Sequence, residues 1–225
     1  EELAYAEGQI GTPVGTRGIP EFGTRFVRQM LIDTRPTTFS ELVRISGLSH
    51  GTNVWTNNAQ DLIRSGVTDL NNAIATRDDI MVYLIHQGLE SGDAFRIMEQ
   101  VRKGRGLKEQ DIALMKQHNV PDWYIESCNK ISYMFPKAHA VAYVMMAFRI
   151  AYFKVHYPLA FYASYFSLRA VEFDAHLAAQ GESAVRKEMA AISAKGNEAT
   201  ARERSMITTL ELVLEAMARG VRFLP

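Results

Sequence analysis

The chain has 225 residues, with 25 basic and 25 acidic side chains, 47% hydrophobic residues and a single cysteine, Cys128. This composition fits one or two globular domains and excludes disordered, collagen-like and low-complexity chains. One cysteine forms no internal disulfide and no thiolate zinc cluster, so we expect a reducing, cytoplasmic compartment. The longest apolar run, 138–150, contains His139 and Arg149 and falls short of the roughly 20 residues that cross a bilayer. A transmembrane helix is therefore not expected.

Residues 1–17 carry turn residues every few positions, which predicts an irregular leading segment. Apolar residues at helical spacing follow Pro20 and end before Pro36, so this stretch is predicted to be the first helix. Thr37 or Thr38 can cap the next helix, because Glu41 stands three residues after Thr38 as in a capping box.

We expect that second helix to end near Gly47 and a polar loop to occupy 48–58. Further helical patterns lie at 59–64, from about 76, and at 93–101, 108–118, 121–133, 137–156, 159–168, 173–179, 183–194 and 201–218. No alternating pattern competes with them. The predicted fold class is all-α, an irregular bundle of about ten or more helices joined by short connections.

Charge is unevenly distributed along this neutral chain. Between residues 127 and 171 there is no Asp or Glu, whereas five basic residues occur there: Lys130, Lys137, Arg149, Lys154 and Arg169. Such a stretch favours an anionic partner.

Common enzyme motifs are missing from the sequence, including a phosphate-binding P-loop, a dinucleotide glycine fingerprint and HExxH. Asp78 and Asp79 are adjacent, so on a helix their side chains diverge by about 100°. This favours a role in the helix dipole and in solvation over metal binding. We predict no metal site in the chain.

Two basic segments are candidates for anion binding. VRKGRGLK, residues 101–108, places basic side chains around two glycines, a pattern that suits phosphate and is equally typical of a solvated helix terminus. MFPKAHAVAY, residues 134–143, puts Lys137 in the first turn of a long helix, where the lysine and free N–H groups can receive an anion. A lysine that simply faces solvent is the alternative there.

A third segment, GLSHGTNVW at residues 47–55, combines hydroxyl, imidazole and indole groups in one short stretch. Buried polar anchoring of a loop explains it as well as ligand binding does.

Four segments in fixed order carry a family resemblance: GIPEFGT at 18–24, ISGLSHGTNVW at 45–55, RDDIMVYL at 77–84, and KISYMFPKAHAVAYVMMAFRIAYFKVHYPLAFYASYF at 130–166. Together they resemble the fingers region of the C-family replicative polymerases of the PolC type. These are the catalytic alpha subunits of DNA polymerase III in low-GC Gram-positive bacteria. The resemblance begins near residue 18. We therefore expect 1–17 to be an irregular segment or palm-side linker and 18–225 to be a helical fingers domain.

The resemblance implies a module that closes over the incoming dNTP and the templating base during nucleotidyl transfer in DNA replication. Its implied partners are the DNA primer-template, the remaining polymerase domains (palm, thumb and duplex-binding) and the replisome, with no membrane. In the family, the aspartates that hold two Mg²⁺ ions lie on the palm, N-terminal to this region. The resemblance thus implies that this chain holds no catalytic residue, that Mg²⁺ binds mainly on the palm, and that the chain alone is inactive.

Residue by residue, the resemblance and the basic segments suggest two sets of contacts. The expected nucleotide-binding residues are Arg77, Arg102, Lys103, Arg105, Lys137 and His139. Ser49, His50 and Phe135 are expected at the template base or the nucleotide base, where an aromatic ring stacks and a hydroxyl forms hydrogen bonds. Loop anchoring and core packing remain open for these last three.

Two hypotheses from other classes also remain. A helical scaffold that binds a protein partner is consistent with the 10 methionines. A helix-hairpin-helix or helix-turn-helix DNA binder is disfavoured by the balanced charge. Salt dependence separates the first from phosphate recognition, which weakens steeply as salt rises.

Overall fold

A computed structural model describes residues 10–224; residues 1–9 and residue 225 lie outside it. The predicted irregular segment 1–17 therefore falls partly outside the described residues. Residues 11–17 contain turns and bends and no helix. A domain boundary between residues 17 and 18 stays a prediction.

The all-α prediction is confirmed for the described residues, which form helices and no strand. The α-helices are α1 (Arg25–Thr34), α2 (Phe39–His50), α3 (Gln60–Arg64), α4 (Arg77–His86), α5 (Ser91–Arg102), α6 (Glu109–Gln117), α7 (Asp122–Lys130), α8 (Lys137–His156), α9 (Pro158–Ser164), α10 (Ala175–Ala179), α11 (Glu182–Ala194) and α12 (Ala201–Ala218). A kink with non-helical backbone at residues 56–58 precedes α3, and a wider helical turn at Tyr165–Arg169 follows α9. None of the described helices is long and apolar enough to span a membrane.

The described chain divides into two compact units. Residues Gln29–Met146 form one of them, here called the continuous unit. Residues 10–28 and 147–224 form the other, here called the split unit.

Apolar side chains at helical spacing build the core of the continuous unit. On α4, Ile80 and Leu84 are fully buried one turn apart, and α5 contributes Ile97 and Val101 in the same way. Each such side chain stabilises the fold by roughly 1.5 to 3 kcal/mol. Cys128 on α7 is also fully buried, and burial raises the pKa of its thiol. The cysteine is a packing residue here.

Helix α2 begins as predicted and ends later than predicted. Thr38 is its N-cap, and the Glu41 side chain accepts hydrogen bonds from the Thr37 and Thr38 N–H groups at 2.7 and 3.0 Å. These backbone hydrogen bonds lower the pKa of Glu41 to about 2. The expected end at Gly47 is wrong, because the helix continues to His50.

Gly47 serves a different purpose from the one we expected. A Cβ at this position would lie 2.6 Å from the Ala75 carbonyl oxygen, so only glycine lets α2 approach that backbone. The glycine marks a close contact and not a helix end. Ser49 and His50, expected on a loop, therefore lie in the last turn of α2.

The split unit has a polar group at its centre. Lys154 of α8 is fully buried, and its Nζ lies 2.6 Å from Glu215 Oε1 of α12. Lys154 also donates to the carbonyls of Gly15 and Arg17 at 2.7 and 2.6 Å. The Tyr162 hydroxyl donates to the same carboxylate oxygen at 2.6 Å. These bonds compensate much of the cost of burying the charges.

Candidate functional site

Two of the segments singled out from the sequence meet in the continuous unit through their backbones. The Thr52 N–H donates to the Tyr133 carbonyl at 2.9 Å, and the Ser132 N–H donates to the Thr52 carbonyl at 3.1 Å. Asn53 adds a side-chain hydrogen bond to Ser132 Oγ at 2.9 Å. These contacts are made by Ser132 and Tyr133, which directly precede the segment 134–143, so the interval 131–143 is treated as one segment from here on. Residues 47–55 and 131–143, nearly 80 positions apart in sequence, thus adjoin each other.

The third segment, the basic turn at 101–108, packs on the same backbone. Gly104 adopts a φ of 67°, and a Cβ on it would lie 2.5 Å from the Ser132 carbonyl oxygen. The Leu107 N–H donates to Asn129 Oδ1 at 2.9 Å. All three polar segments therefore meet around Ser132.

An aromatic cluster lies where α2 ends and α8 begins. The His50 ring stacks on Phe135 with centroids 5.0 Å apart, and His139 meets the same ring edge-on at 6.0 Å. Phe135 is half-buried, whereas both histidines are exposed. The cluster presents flat ring surfaces suited to stacking.

Hydrogen bonds at the end of α2 fix the orientation of His50. His50 Nδ1 lies 2.8 Å from the Ser46 carbonyl oxygen and 2.9 Å from Ser49 Oγ. Ser49 Oγ also donates to the Ser46 carbonyl at 3.0 Å. A protonated Nδ1 fits this arrangement, because the carbonyl can only accept. Ser49 is thus bound locally and supports the ring that stacks on Phe135.

Arg77 and Lys137 are brought together by the acidic pair between them. Lys137 Nζ lies 3.6 Å from Asp79 Oδ1, and Arg77 Nε lies 3.9 Å from Asp78 Oδ2. The Arg77 N–H also donates to the Phe135 carbonyl at 3.3 Å. Two of the expected cations therefore stand beside the expected base-stacking residue.

Asp78 closes the N-terminus of α8. Its Oδ2 accepts a hydrogen bond from the Lys137 N–H at 2.8 Å. We expected free N–H groups there to receive an anion together with Lys137. Because the Lys137 N–H already donates to Asp78, Lys137 can offer only its side-chain ammonium group to an anion.

Asp79 joins three parts of the site. It accepts hydrogen bonds from the Thr76 and Ala75 N–H groups at 2.9 and 3.3 Å, and it lies 3.6 Å from Arg44 Nη1. A cavity of about 270 Å³ opens beside it, with a lining that includes Arg44, Asn71, Asp78, Asp79, His86 and Lys137. The cavity is bordered by charges of both signs and also by apolar side chains such as Ile74 and Val82.

In the basic turn, Arg102 and Lys103 pair with a carboxylate, whereas no ion pair is described for Arg105. Glu99 accepts hydrogen bonds from Arg102 Nη2 at 2.8 Å and lies 2.9 Å from Lys103 Nζ. Hydrogen bonds from these two residues lower the pKa of Glu99 to about 2, and the Glu99 contact raises the pKa of Arg102. The Arg105 side chain is exposed and has no such partner within residues 10–224. Arg105 is thus the least compensated of these three cations.

All nine expected site residues lie in the continuous unit. Six of them form the group around Phe135: Ser49, His50, Arg77, Phe135, Lys137 and His139. Arg102, Lys103 and Arg105 belong to the basic turn, which joins the site through backbone packing at Ser132.

Sequence reasoning missed the contacts of Asp78 and Asp79 with these cations. It also missed Arg44, a third cation, which shares the Asp79 carboxylate with Lys137. The spacing of Thr76 and Asp79 is that of a capping box, which indicates a carboxylate turned back towards the chain. We interpreted both aspartates as helix-dipole and solvation residues, whereas the Asp79 side chain is only 13% exposed. Within residues 10–224 there is no group of three or more His, Cys, Asp or Glu side chains that could hold a metal ion.

The chain is similar to proteins of known family over nearly its whole length. The family model for the bacterial DNA polymerase III alpha subunit finger domain matches residues 9–120. The chain is 60% identical over 223 residues to the DNA polymerase III PolC-type proteins of Caldanaerobacter subterraneus subsp. tengcongensis and Bacillus subtilis, which covers 99% of the chain and 16% of each relative. It is 57% identical over 224 residues to the DNA polymerase III PolC-type protein of Clostridium perfringens, covering 100% of the chain and 16% of that relative. The chain thus spans about one sixth of the length of these curated relatives.

Proposed function

Residues 9–120 of this chain belong to the bacterial DNA polymerase III alpha subunit finger domain family, and on that premise we propose that the chain is the fingers module of a replicative DNA polymerase. In this proposal it binds the triphosphate of the incoming dNTP and the templating base. The activity is that of a DNA-directed DNA polymerase, carried by the longer protein to which the chain belongs. Its other partners are the DNA primer-template, the remaining polymerase domains and the replisome, in the cytoplasm.

The observation that carries the proposal is the convergence of the three polar segments in the continuous unit. Residues 47–55, 101–108 and 131–143 supply rings, hydroxyls and cations, and they adjoin each other around Ser132. A nucleotide needs both chemistries at once, because its base stacks on rings while its phosphates need cations.

Lys137 and Arg77 are the proposed triphosphate ligands beside the stacking residue Phe135, whose carbonyl accepts from the Arg77 N–H. Lys137 Nζ is 3.6 Å from Asp79, longer than a good hydrogen bond, and its side chain is 51% exposed. A phosphate oxygen can therefore attract the ammonium group without breaking a strong contact. Arg102, Lys103, Arg105 and His139 add positive charge or hydrogen-bond donors to the same proposed interface.

The base is proposed to stack on the cluster of Phe135 and His50, with Ser49 holding the His50 ring in place. The rings pair at 5.0 Å, a separation normal for stacked aromatic side chains. His50 is exposed, so a further planar group can reach this pair of rings from solvent. Stacking of this kind tolerates every base, as a replicative polymerase requires.

The proposed chemistry places the catalytic carboxylates and most Mg²⁺ contacts outside this chain. Mg²⁺, when bound to the longer protein, would neutralise the charge that develops on the transferred phosphoryl group. The residues of this chain orient the nucleotide and supply additional positive charge through Lys137 and Arg77. The chain alone is expected to extend no primer.

Exchange of Lys137 for alanine in the polymerase that contains this chain tests the proposal. Loss of a charge-assisted hydrogen bond to phosphate costs about 1.5 to 3 kcal/mol, or roughly 10- to 150-fold in kcat/KM for dNTP. Lys116→Ala is the matched control, because Lys116 is also in the continuous unit, is 57% exposed and pairs with one carboxylate, Asp122. Steady-state primer extension measures both variants. Equal kcat/KM values for the two variants would contradict the assignment of Lys137.

A protein-binding scaffold remains a second candidate. The observation in its favour is a set of exposed apolar side chains on α8: Tyr143, Met145, Met146, Phe148, Tyr152 and Phe153. An apolar docking surface keeps its affinity as salt rises, whereas phosphate recognition loses it. Titration of the chain with a short primer-template at two salt concentrations tests for phosphate recognition, because a steep loss of affinity at the higher salt is expected only from that function.

A further inference from the structure

A second cavity lies in the split unit, at the segment GIPEFGT (residues 18–24). The proposed nucleotide site does not use this segment. The volume of the cavity is about 330 Å³, and its lining includes Thr24, Arg25, Arg28, Arg169, Thr208 and Glu211. Glu21 also lines it, so three arginines face two glutamates.

Glu211 holds the arginine cluster together. Its carboxylate lies 2.8 Å from Arg25, 3.3 Å from Arg17 and 3.4 Å from Arg28. Burial would raise the pKa of Glu211, but the Arg25 hydrogen bond and the charges of the three arginines more than offset it, so the pKa is lowered. With Arg169 and Glu21 included, four arginines stand against two glutamates in and around this cavity.

The positive excess is visible on the buried arginines. Arg17 is 5% exposed, and its Nη1 has no hydrogen-bond partner among the described residues. Burial lowers the pKa of Arg28, and the charges of Arg17 and Arg25 lower it further, so that Glu211, which raises it, does not restore the ordinary value. Like charges are therefore held close together in a buried setting, which an added anion would relieve.

The side chains of Arg25 and Arg169 have more N–H donors than described hydrogen bonds. A guanidinium carries five N–H donors in a planar fork that matches phosphate oxygens. The Arg25 side chain is 76% exposed and gives one hydrogen bond to Glu211. The Arg169 side chain is exposed and has no hydrogen bond or ion pair among residues 10–224.

We propose that this cavity is a phosphate-binding site, in which Arg25 and Arg169 donate to the ligand while Arg28 and Glu211 hold Arg25 in place. The ligand is a phosphate group, which a nucleic-acid backbone or a free anion can supply. Thr24 and Thr208 offer hydroxyl donors in the same lining. The site uses none of the residues of the proposed nucleotide site, so either proposal can fail without the other.

Calorimetric titration of the 225-residue chain with inorganic phosphate, with tripolyphosphate and with hexathymidylate tests the site, and hexaglutamate serves as an anion that carries no phosphate. We expect saturable binding that Arg25→Gln/Arg169→Gln weakens by roughly tenfold or more. Arg169→Gln alone is the second variant, because the Arg169 side chain has no hydrogen bond or ion pair within residues 10–224 whose loss could unfold the chain. Arg202→Gln is the matched control, since Arg202 lies in the same unit, is also 76% exposed and also pairs with one glutamate, Glu172.

The probes separate the two sources of phosphate. Displacement of bound phosphate by hexathymidylate assigns the site to a nucleic-acid backbone, whereas binding of the free anions alone assigns it to a small phosphate ligand. No saturable binding of any probe would overturn the proposal. Equal affinity of the control and the Arg169→Gln variant, or equal affinity for hexaglutamate, would overturn it as well.

Discussion

Asp79 links the fold of the continuous unit to its proposed chemistry. The carboxylate holds two backbone N–H groups before α4 and stands 3.6 Å from both Arg44 Nη1 and Lys137 Nζ. Its side chain and that of Arg44 are largely buried, so the Asp79–Arg44 contact is largely shielded from water. Removing this group leaves donors and cations without their partner.

Replacing Asp79 with alanine is therefore expected to destabilise the continuous unit by about 1 to 3 kcal/mol. Urea unfolding followed by tryptophan fluorescence measures this, because Trp55 and Trp123 both lie in the continuous unit. Asp61→Ala is the control, since Asp61 is exposed and should change stability by less than about 0.5 kcal/mol. Equal midpoints for the two variants would contradict the role given to Asp79.

Individual residues also mark the limit of what the sequence could predict. The capping box of Thr38 and Glu41 was predictable, because its partners lie three residues apart. The role of Gly47 was not, because its reason is the Ala75 carbonyl, 28 positions away. Likewise, nothing local in the sequence indicates that Asp78 accepts from the Lys137 N–H, 59 positions away.

At the scale of elements, α8 and α12 are joined by the buried pair of Lys154 and Glu215. Breaking a buried pair by removing one partner leaves an uncompensated charge, so Lys154→Met should destabilise the chain by about 3 to 5 kcal/mol. Adding Glu215→Leu removes that charge, and the double variant should lose less than the sum of the single variants. Urea unfolding monitored by far-UV circular dichroism measures the cycle, with the exposed Lys187→Met as control. If the destabilisation of the double variant equals the sum of the two single variants, the coupling of Lys154 and Glu215 is contradicted.

The same lysine makes a prediction about pH. Burial lowers the pKa of Lys154 to about 8, and the Glu215 carboxylate only partly restores it. Between pH 8 and the ordinary lysine value of 10.5 the unfolded chain binds more protons, so rising pH favours the folded state through this group. The free-energy difference between the native chain and Lys154→Met should therefore widen over this interval. A difference that is constant from pH 8 to pH 10 would contradict the lowered pKa.

Helix positions were predictable where apolar spacing and proline agree, as for α8, which runs from Lys137 after Pro136 to His156 before Pro158. Errors arose where the pattern continued beyond the regular helix. The pattern at 159–168 predicted one helix, whereas α9 ends at Ser164 and a wider turn covers Tyr165–Arg169. Apolar spacing does not distinguish the regular helix from the wider turn, because both bury aromatic residues at nearly helical spacing: Phe161 and Tyr162 in α9 and Phe166 in the turn.

At the scale of the whole molecule, the all-α class followed from periodicity, but the division into units did not. The unit boundaries fall within α1 and α8, where neither glycine nor proline interrupts the helix. The predicted segments 1–17 and 18–225 rest on turn residues and on the family resemblance, and they stay a prediction. The observed division depends on contacts between residues far apart in sequence, and such contacts cannot be predicted from the local patterns of a single sequence.

The central claim is that three distant segments surround one nucleotide. Photo-crosslinking of a reactive dNTP to the chain, with and without primer-template and unlabelled competitor, followed by peptide mapping, tests it most directly. We expect competable labelling in 47–55, 101–108 and 131–143, and its loss from 131–143 in Lys137→Ala but not in Lys116→Ala. Competable labelling confined to other peptides, or labelling that unlabelled dNTP does not reduce, would contradict the account.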